Sequence, residues 1–182
     1  MPDRLPERLV RAVELLDVGP EEQILEIGCG PGVAAALVCE RLRGGCLTAI
    51  DRSSTAIERA RKRNAAALAA GKLDLRRVNL ADLEPAAGEC FDAVLAVNVN
   101  LFWTRPADTE LNVLTRALRP GGRLVLVYET PRGTLRERAL TAIETGLQAH
   151  GFVVRTVATP PVVAVLGHLP QKGAGEAAVI AH

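Results

Sequence analysis

Short apolar runs alternate with helix-length segments along nearly the whole chain, and this alternation leaves few folds open. Ala93-Val94-Leu95-Ala96-Val97 and Leu124-Val125-Leu126-Val127 have no polar face, which a strand tolerates only when helices cover both sides of its sheet. Segments 24–27, 46–50, 75–78, 91–97 and 123–128 read as five such strands. Helices are expected between them over 33–43, 53–70 and 107–118, stopped by Gly44-Gly45, Gly71 and Pro120-Gly121-Gly122. A short leading helix over about 6–17 carries Leu9, Val13 and Leu16, and another helix over 134–150 follows the fifth strand. Strands 152–158 and 162–166 are joined only by Thr159-Pro160-Pro161, too short for a crossover helix, so this last pair should be antiparallel. The expectation is an α/β fold with a doubly wound, mostly parallel sheet of seven strands and an antiparallel strand in its C-terminal hairpin. From Pro170 the tail either frays or adds an edge strand through Ala177 to Ala181.

With 182 residues, the chain fits one domain, 1–182, able to bury roughly 70% of its unfolded surface. Lys and Arg exceed Asp and Glu by one, so no global field draws it to nucleic acid or an anionic membrane. Aromatic residues make up 3%, too few for base-stacking platforms. The longest apolar stretch, Val33 to Cys39, falls far short of the ~20 residues of a membrane span. No secretory h-region follows Met1, which makes the cytoplasm the default location. Cys29, Cys39, Cys46 and Cys90 form no CxxC pair, and the three histidines are dispersed, so neither a disulfide framework nor a metal site is expected.

Glu26-Ile27-Gly28-Cys29-Gly30-Pro31-Gly32 lies between the first sheet strand and its helix, where glycines let backbone approach a nucleotide-like ligand. Its spacing is GxGxG, with Val33 where the dinucleotide fingerprint wants a third glycine, which disfavours NAD. Glu26 carries a charge that would repel a pyrophosphate and attract an ammonium group. Asp51, closing the second strand, can accept hydrogen bonds from both hydroxyls of an unphosphorylated ribose. It can equally serve as a turn or cap residue ahead of Ser53, or do both.

These residues resemble the first two motifs of class I S-adenosylmethionine-dependent methyltransferases: 24–32 the first and Ala49-Ile50-Asp51 the second. Segment 91–98 resembles the fourth, and Leu118-Arg119-Pro120-Gly121-Gly122 the loop into the fifth strand. Four motifs in order imply a Rossmann-like methyltransferase with S-adenosylmethionine as cofactor and S-adenosylhomocysteine as product. On the same resemblance Glu26 faces the methionine amino group and the backbone of Gly28, Cys29, Gly30 and Gly32 lines the methionine and ribose. Asp51 then holds the ribose hydroxyls, with Arg52 beside it and Val97 closing the fourth strand. The third motif is irregular: Asn79 stands where the family usually has an acid, and in the segment Asn79-Leu80-Ala81-Asp82 either Asn79 or Asp82 would meet the adenine.

For the methyl acceptor, residues leaving the fourth and fifth strands should form the walls: Asn98, Asn100, Phe102 and Trp103, with Tyr128, Glu129 and Arg132. Trp103 is either a wall or a core residue, and Glu129 either a weak candidate base or a solvated loop carboxylate. No catalytic residue is required, because alignment and desolvation alone can drive transfer from a sulfonium. Asn98-Val99-Asn100-Leu101 lacks the Pro-Pro-aromatic continuation of the family's base methylators, and no carboxylate cluster supplies a metal. A metal-free enzyme acting on a small molecule is therefore expected, with the leading helix as a minimal lid and a homodimer as one way to complete the pocket. The alternatives are a non-catalytic S-adenosylmethionine binder and, more remotely, a nucleotide-dependent oxidoreductase.

Overall fold

Burial on both faces is what the all-apolar strands demand, and the chain meets it with one seven-stranded sheet between two helical layers. The computed structural model describes residues 5–86, 88–130, 135 and 137–171. In chain order the elements are α1 (Glu7–Leu16), β1 (Gln23–Ile27), α2 (Val33–Arg41), β2 (Cys46–Asp51), α3 (Ser54–Arg63), α4 (Ala65–Ala69) and β3 (Leu73–Arg77). A single 3-10 turn, Leu80–Asp82, leads to β4 (Phe91–Val97), α5 (Leu101–Thr104), α6 (Asp108–Ala117), β5 (Leu118–Glu129), α7 (Glu137–Ala149), β6 (Val153–Thr159) and β7 (Val162–His168).

The strand order is β3-β2-β1-β4-β5-β7-β6. β1 to β5 are parallel to their neighbours, while β7 runs antiparallel to both β5 and β6. The expected hairpin is thus present, and β7 is its antiparallel member against the rest of the sheet. Alternate residues of each strand feed opposite cores. Leu25, Val94, Leu124 and Leu126 face α6 and α7, whereas Ile24, Leu95, Val125 and Val127 face α1 and α2. Each of these eight is at most 2% exposed, and each such side chain contributes roughly 1.5–3 kcal/mol by leaving water. β1 and β4 are parallel, but the chain adds strands outward in one direction from β1 and in the other from β4, so a crevice opens at their carboxyl ends, where open α/β sheets bind ligands.

α1 is part of a layer rather than a free lid. Ala12, Val13 and Leu16 are buried against the sheet, and Arg123 of β5 donates to the carbonyls of Leu16 and Asp17 at its C-terminal end. Only the first turn, through Arg8, reaches the carboxyl edge of the strands, where it pairs with Glu129 at 2.8 Å.

Two local expectations change. The helix expected over 53–70 is interrupted at Asn64, whose side chain bonds backbone instead of leaving the helix regular. The stop at Pro120-Gly121-Gly122 lies inside β5: Leu118 already pairs with Phe91, and the ladder resumes at Ala93 and Arg123, so the residues between form a bulge. Gly121 there has φ +80° and hydrogen-bonds Leu169, which a side chain at this position would strain. Leu101–Thr104, given no element from the sequence, form the short helix α5. The start of the helix expected from Thr134, the tail segment from Ala177 to Ala181, and Arg132 lie outside the described residues.

Candidate functional site

β1 ends with Ile27 turned to the α6–α7 face and Glu26 turned to the opposite one, in register with Ala49 of β2 and Leu95 of β4. Glu26 is 4% exposed, and its Oε2 is buried with no hydrogen-bond partner among the described residues. Burial first, and then the Asp51 carboxylate, pushes its pKa up to about 8. An ionised carboxylate in that position is stable only beside a cation, because removing an unpaired charge from water costs several kcal/mol.

The glycine turn that follows is fixed by its own neighbours. Gly28 and Cys29 both donate to the carbonyl of Ile50, at 2.8 and 3.0 Å, Gly30 donates to Asp51 Oδ2 at 3.0 Å, and Gly32 donates to Cys29 O at 3.0 Å. Gly28, Gly30 and Gly32 all have positive φ. A Cβ on Gly30 would meet nothing within 4 Å, so this turn borders open space. The loop N–H groups are thus spent within the chain, and what the turn offers a ligand is close approach of its Cα face. Gly32 caps α2 without a side-chain bond, which leaves the first N–H groups of that helix uncapped. Burial, followed by Glu26 and Asp51, pushes the Cys29 thiol up to about 12, so this cysteine is a packing residue and not a nucleophile.

Asp51 performs the turn role: its other oxygen, Oδ1, accepts from Ser53 N at 2.8 Å, while Ser53 itself caps α3 by accepting from Ala56 N. Two backbone anchors orient the carboxylate toward the crevice and leave it further lone pairs for a ligand.

A cavity of about 680 Å³ lies at this edge. Gly28, Asp51, Arg52, Asn79, Leu80 and Asp82 line one side of it, and Asn98 and Asn100 the other. Asn79 Nδ2 donates to Asp82 Oδ2 at 3.0 Å, so the two candidates for the adenine end form one unit. Asn98 adopts the left-handed region at φ +55°; its N–H donates to Val127 O and its Oδ1 accepts from Glu129 N at 2.9 Å, which ties the ends of β4 and β5 together.

Other expected residues lie elsewhere. Val97 is half-buried and packs toward the α1–α2 side. Phe102 and Tyr128 belong to the α6–α7 core, 5% and 3% exposed, and the Tyr128 hydroxyl donates to Val99 O. Trp103, the next residue of α5, is 36% exposed and stands outside the cavity. Glu129 is held by Arg8 rather than lining the cavity.

Sequence reading missed Arg105 and Glu110, which line the cavity as an ion pair. Glu110 is 3% exposed; burial alone would raise its carboxyl, but the hydrogen bonds from Arg105 prevail and hold it below the usual carboxylate range. The signal was available, since Glu110 is an acid on the apolar stripe of Ala107, Leu111 and Leu114. Among the described residues, no three His, Cys, Asp or Glu side chains gather as a metal site, and no helix is long and apolar enough to cross a membrane.

The residues present fit S-adenosylmethionine: Gly28 and the anchored Asp51 line the cavity, and the orphaned Glu26 carboxylate, which would meet the ammonium, lies two residues before Gly28, while Glu26, Cys29, Gly30 and Gly32 are not themselves part of the cavity's lining. Comparison with known proteins agrees. A family model described as a methyltransferase domain matches residues 24–122. Trans-aconitate 2-methyltransferase of Delftia acidovorans is 31% identical over 143 residues, covering 75% of this chain and 50% of that protein. Nocamycin O-methyltransferase of Saccharothrix syringae is 33% identical over 172 residues, covering 92% and 60%. The chain therefore spans about half to three-fifths of these relatives' length. In fold it is similar to the N-methyltransferase NodS of Bradyrhizobium japonicum, with TM-score 0.69 at 20% identity over 91% of this chain and 96% of that one. From β1 to the bulge that opens β5, both sequence and fold carry the same assignment: the chain belongs to the class I S-adenosylmethionine-dependent methyltransferases.

Proposed function

We propose that this chain binds S-adenosylmethionine and methylates a small-molecule acceptor without a metal. The observation that carries the reading is the buried Glu26 Oε2, which has no hydrogen-bond partner among the described residues and lies beside a glycine turn open to a ligand. An ammonium group is the complement such a carboxylate requires, and a pyrophosphate is excluded by its charge. Asp51, already oriented by Gly30 and Ser53, holds the ribose hydroxyls, and the Asn79–Asp82 unit meets the adenine. Bound there, the cofactor would supply an electrophilic methyl on its sulfonium, taken in line by an acceptor lone pair as the C–S bond breaks and the neutral thioether leaves.

The chain's own part is alignment and exclusion of water. Asn98 ties β4 to β5 and presents backbone and amide groups at the cavity, so the acceptor enters over the ends of these strands. Glu129, bound to Arg8, has its carboxylate engaged and serves the site by anchoring α1 to that edge rather than as a base. An acceptor whose oxygen is already anionic, such as a carboxylate, needs no base. Relatives named for trans-aconitate and for O-methylation of nocamycin support an oxygen acceptor on a small molecule.

The test is release of S-adenosylhomocysteine from S-adenosylmethionine with a panel of carboxylic and hydroxylated small molecules, with and without EDTA. Release with at least one acceptor, unchanged by EDTA, is expected. Loss of turnover on chelation would overturn the metal-free mechanism, and cofactor binding with no turnover on any acceptor would favour a non-catalytic binder.

A further inference from the structure

We infer that Arg63 and Asn64, at the end of α3, are positioning residues that set cofactor affinity by clasping the back of the glycine turn. This rests on the cofactor reading above and extends it to residues that touch no ligand.

Asn64 is 4% exposed in a segment whose pattern is otherwise an ordinary helix. Its Nδ2 donates at 2.9 Å to Gly32 O and at 2.9 Å to Ala60 O, so both amide hydrogens are used. The preceding residue, Arg63, donates through Nε to Pro31 O at 3.1 Å. Two consecutive side chains therefore hold two consecutive carbonyls of the turn. Packing makes the same point: a Cβ on Gly32 would lie 2.5 Å from Asn64 Nδ2 and 2.9 Å from Ala60 Cβ. Gly32, at φ +75°, is thus a glycine both for its backbone and for the close seat of this amide.

The helix gives up regularity for this contact. At Asn64 the backbone turns to φ −108° and ψ 27°, ending α3 and starting α4, and a regular helix former would have avoided the break. On the ligand side the turn is held from β2, by Ile50 O and Asp51. Pro31 has no N–H, and among the described residues Gly32 is otherwise tied only to Cys29 O and to Ala36 of α2. Without the clasp, the half of the turn that leads into α2 keeps local bonds only. A ligand would then have to order it on binding, and that ordering weakens affinity.

The experiment measures two things at a temperature well below unfolding: S-adenosylhomocysteine affinity by calorimetry, and amide hydrogen exchange of Gly30 and Gly32 without ligand. The variants are Asn64→Ala and Arg63→Ala, with Ile143→Val, buried in α7 on the opposite face, as a control for lowered stability. Loss of two buried hydrogen bonds should weaken binding about tenfold in Asn64→Ala, and loss of one exposed bond about threefold in Arg63→Ala, with faster exchange in both. Ile143→Val should bind within twofold of the parent whatever its Tm. Unchanged affinity and exchange in the Asn64→Ala and Arg63→Ala proteins would overturn the inference, as would equal weakening in the control. If Asn64→Ala does not fold, exposed Arg63 decides alone. A parent that binds no S-adenosylhomocysteine defeats the cofactor reading and with it the affinity role, whereas a parent that binds while its clasp variants match it defeats the clasp only.

Discussion

Glu26→Gln should weaken S-adenosylmethionine binding by a factor of roughly 30 to several thousand. Removing one member of a buried, hydrogen-bonded charge pair costs about 2–5 kcal/mol, and each 1.4 kcal/mol is tenfold. The ligand-free protein should respond in the opposite sense. Its Glu26 titrates near 8, raised by burial and by Asp51, against an ordinary value of 4.5 in the unfolded chain. Between those values the folded state holds a proton that the unfolded state has lost, so this group makes stability fall as pH rises from about 4.5 to 8. Glutamine removes that slope, and Tm at pH 8 should hold or rise while binding collapses. Cofactor affinity has the matching pH profile: the ammonium needs the ionised carboxylate, so Kd should fall as pH rises from 6 to 8. Titrations at pH 6, 7 and 8 with thermal melts on the same samples check all of this, and pH-independent binding with a lower Tm in the variant would contradict it.

Asp51→Ala should weaken cofactor binding by roughly 30- to 1000-fold, equivalent to about 2–4 kcal/mol for two charge-assisted hydrogen bonds after water re-enters. The same substitution frees the N–H groups of Gly30 and Ser53, so a Tm decrease should accompany it. Asp82→Ala is the comparison. Asp82 is exposed and accepts from Asn79, so its loss should change affinity only a few fold and leave the glycine turn intact. Calorimetry on the two variants at one pH separates them, and equal effects would mean that the ribose and adenine ends are misplaced.

What the sequence made legible follows from how the information is written. Strands buried on both faces appear as unbroken apolar runs, so β1, β2, β4 and β5 and the order of elements could be read directly. Glu26 and Asp51 stood out because a charge at the end of an apolar run has no packing explanation. Asn64 did not, since its role is a contact with Gly32 formed only when α3 folds back on the turn. The Arg105–Glu110 pair was legible only in part: Glu110 shows as an acid on an apolar helical stripe, but its pairing with Arg105 depends on how α5 and α6 meet at the cavity. Phe102 and Trp103 show the limit of composition. They are neighbours in the chain, yet the step of about 100° between successive helical residues directs Phe102 into the core and Trp103 to the surface.

The most direct test of the central claim is calorimetric titration of the unmodified protein at pH 8 with S-adenosylhomocysteine and, separately, with NAD. One saturable site for the adenosyl ligand and no heat from NAD are predicted from the orphaned Glu26 carboxylate and the GxGxG turn. Tight NAD binding without binding of the adenosyl compound would contradict the account.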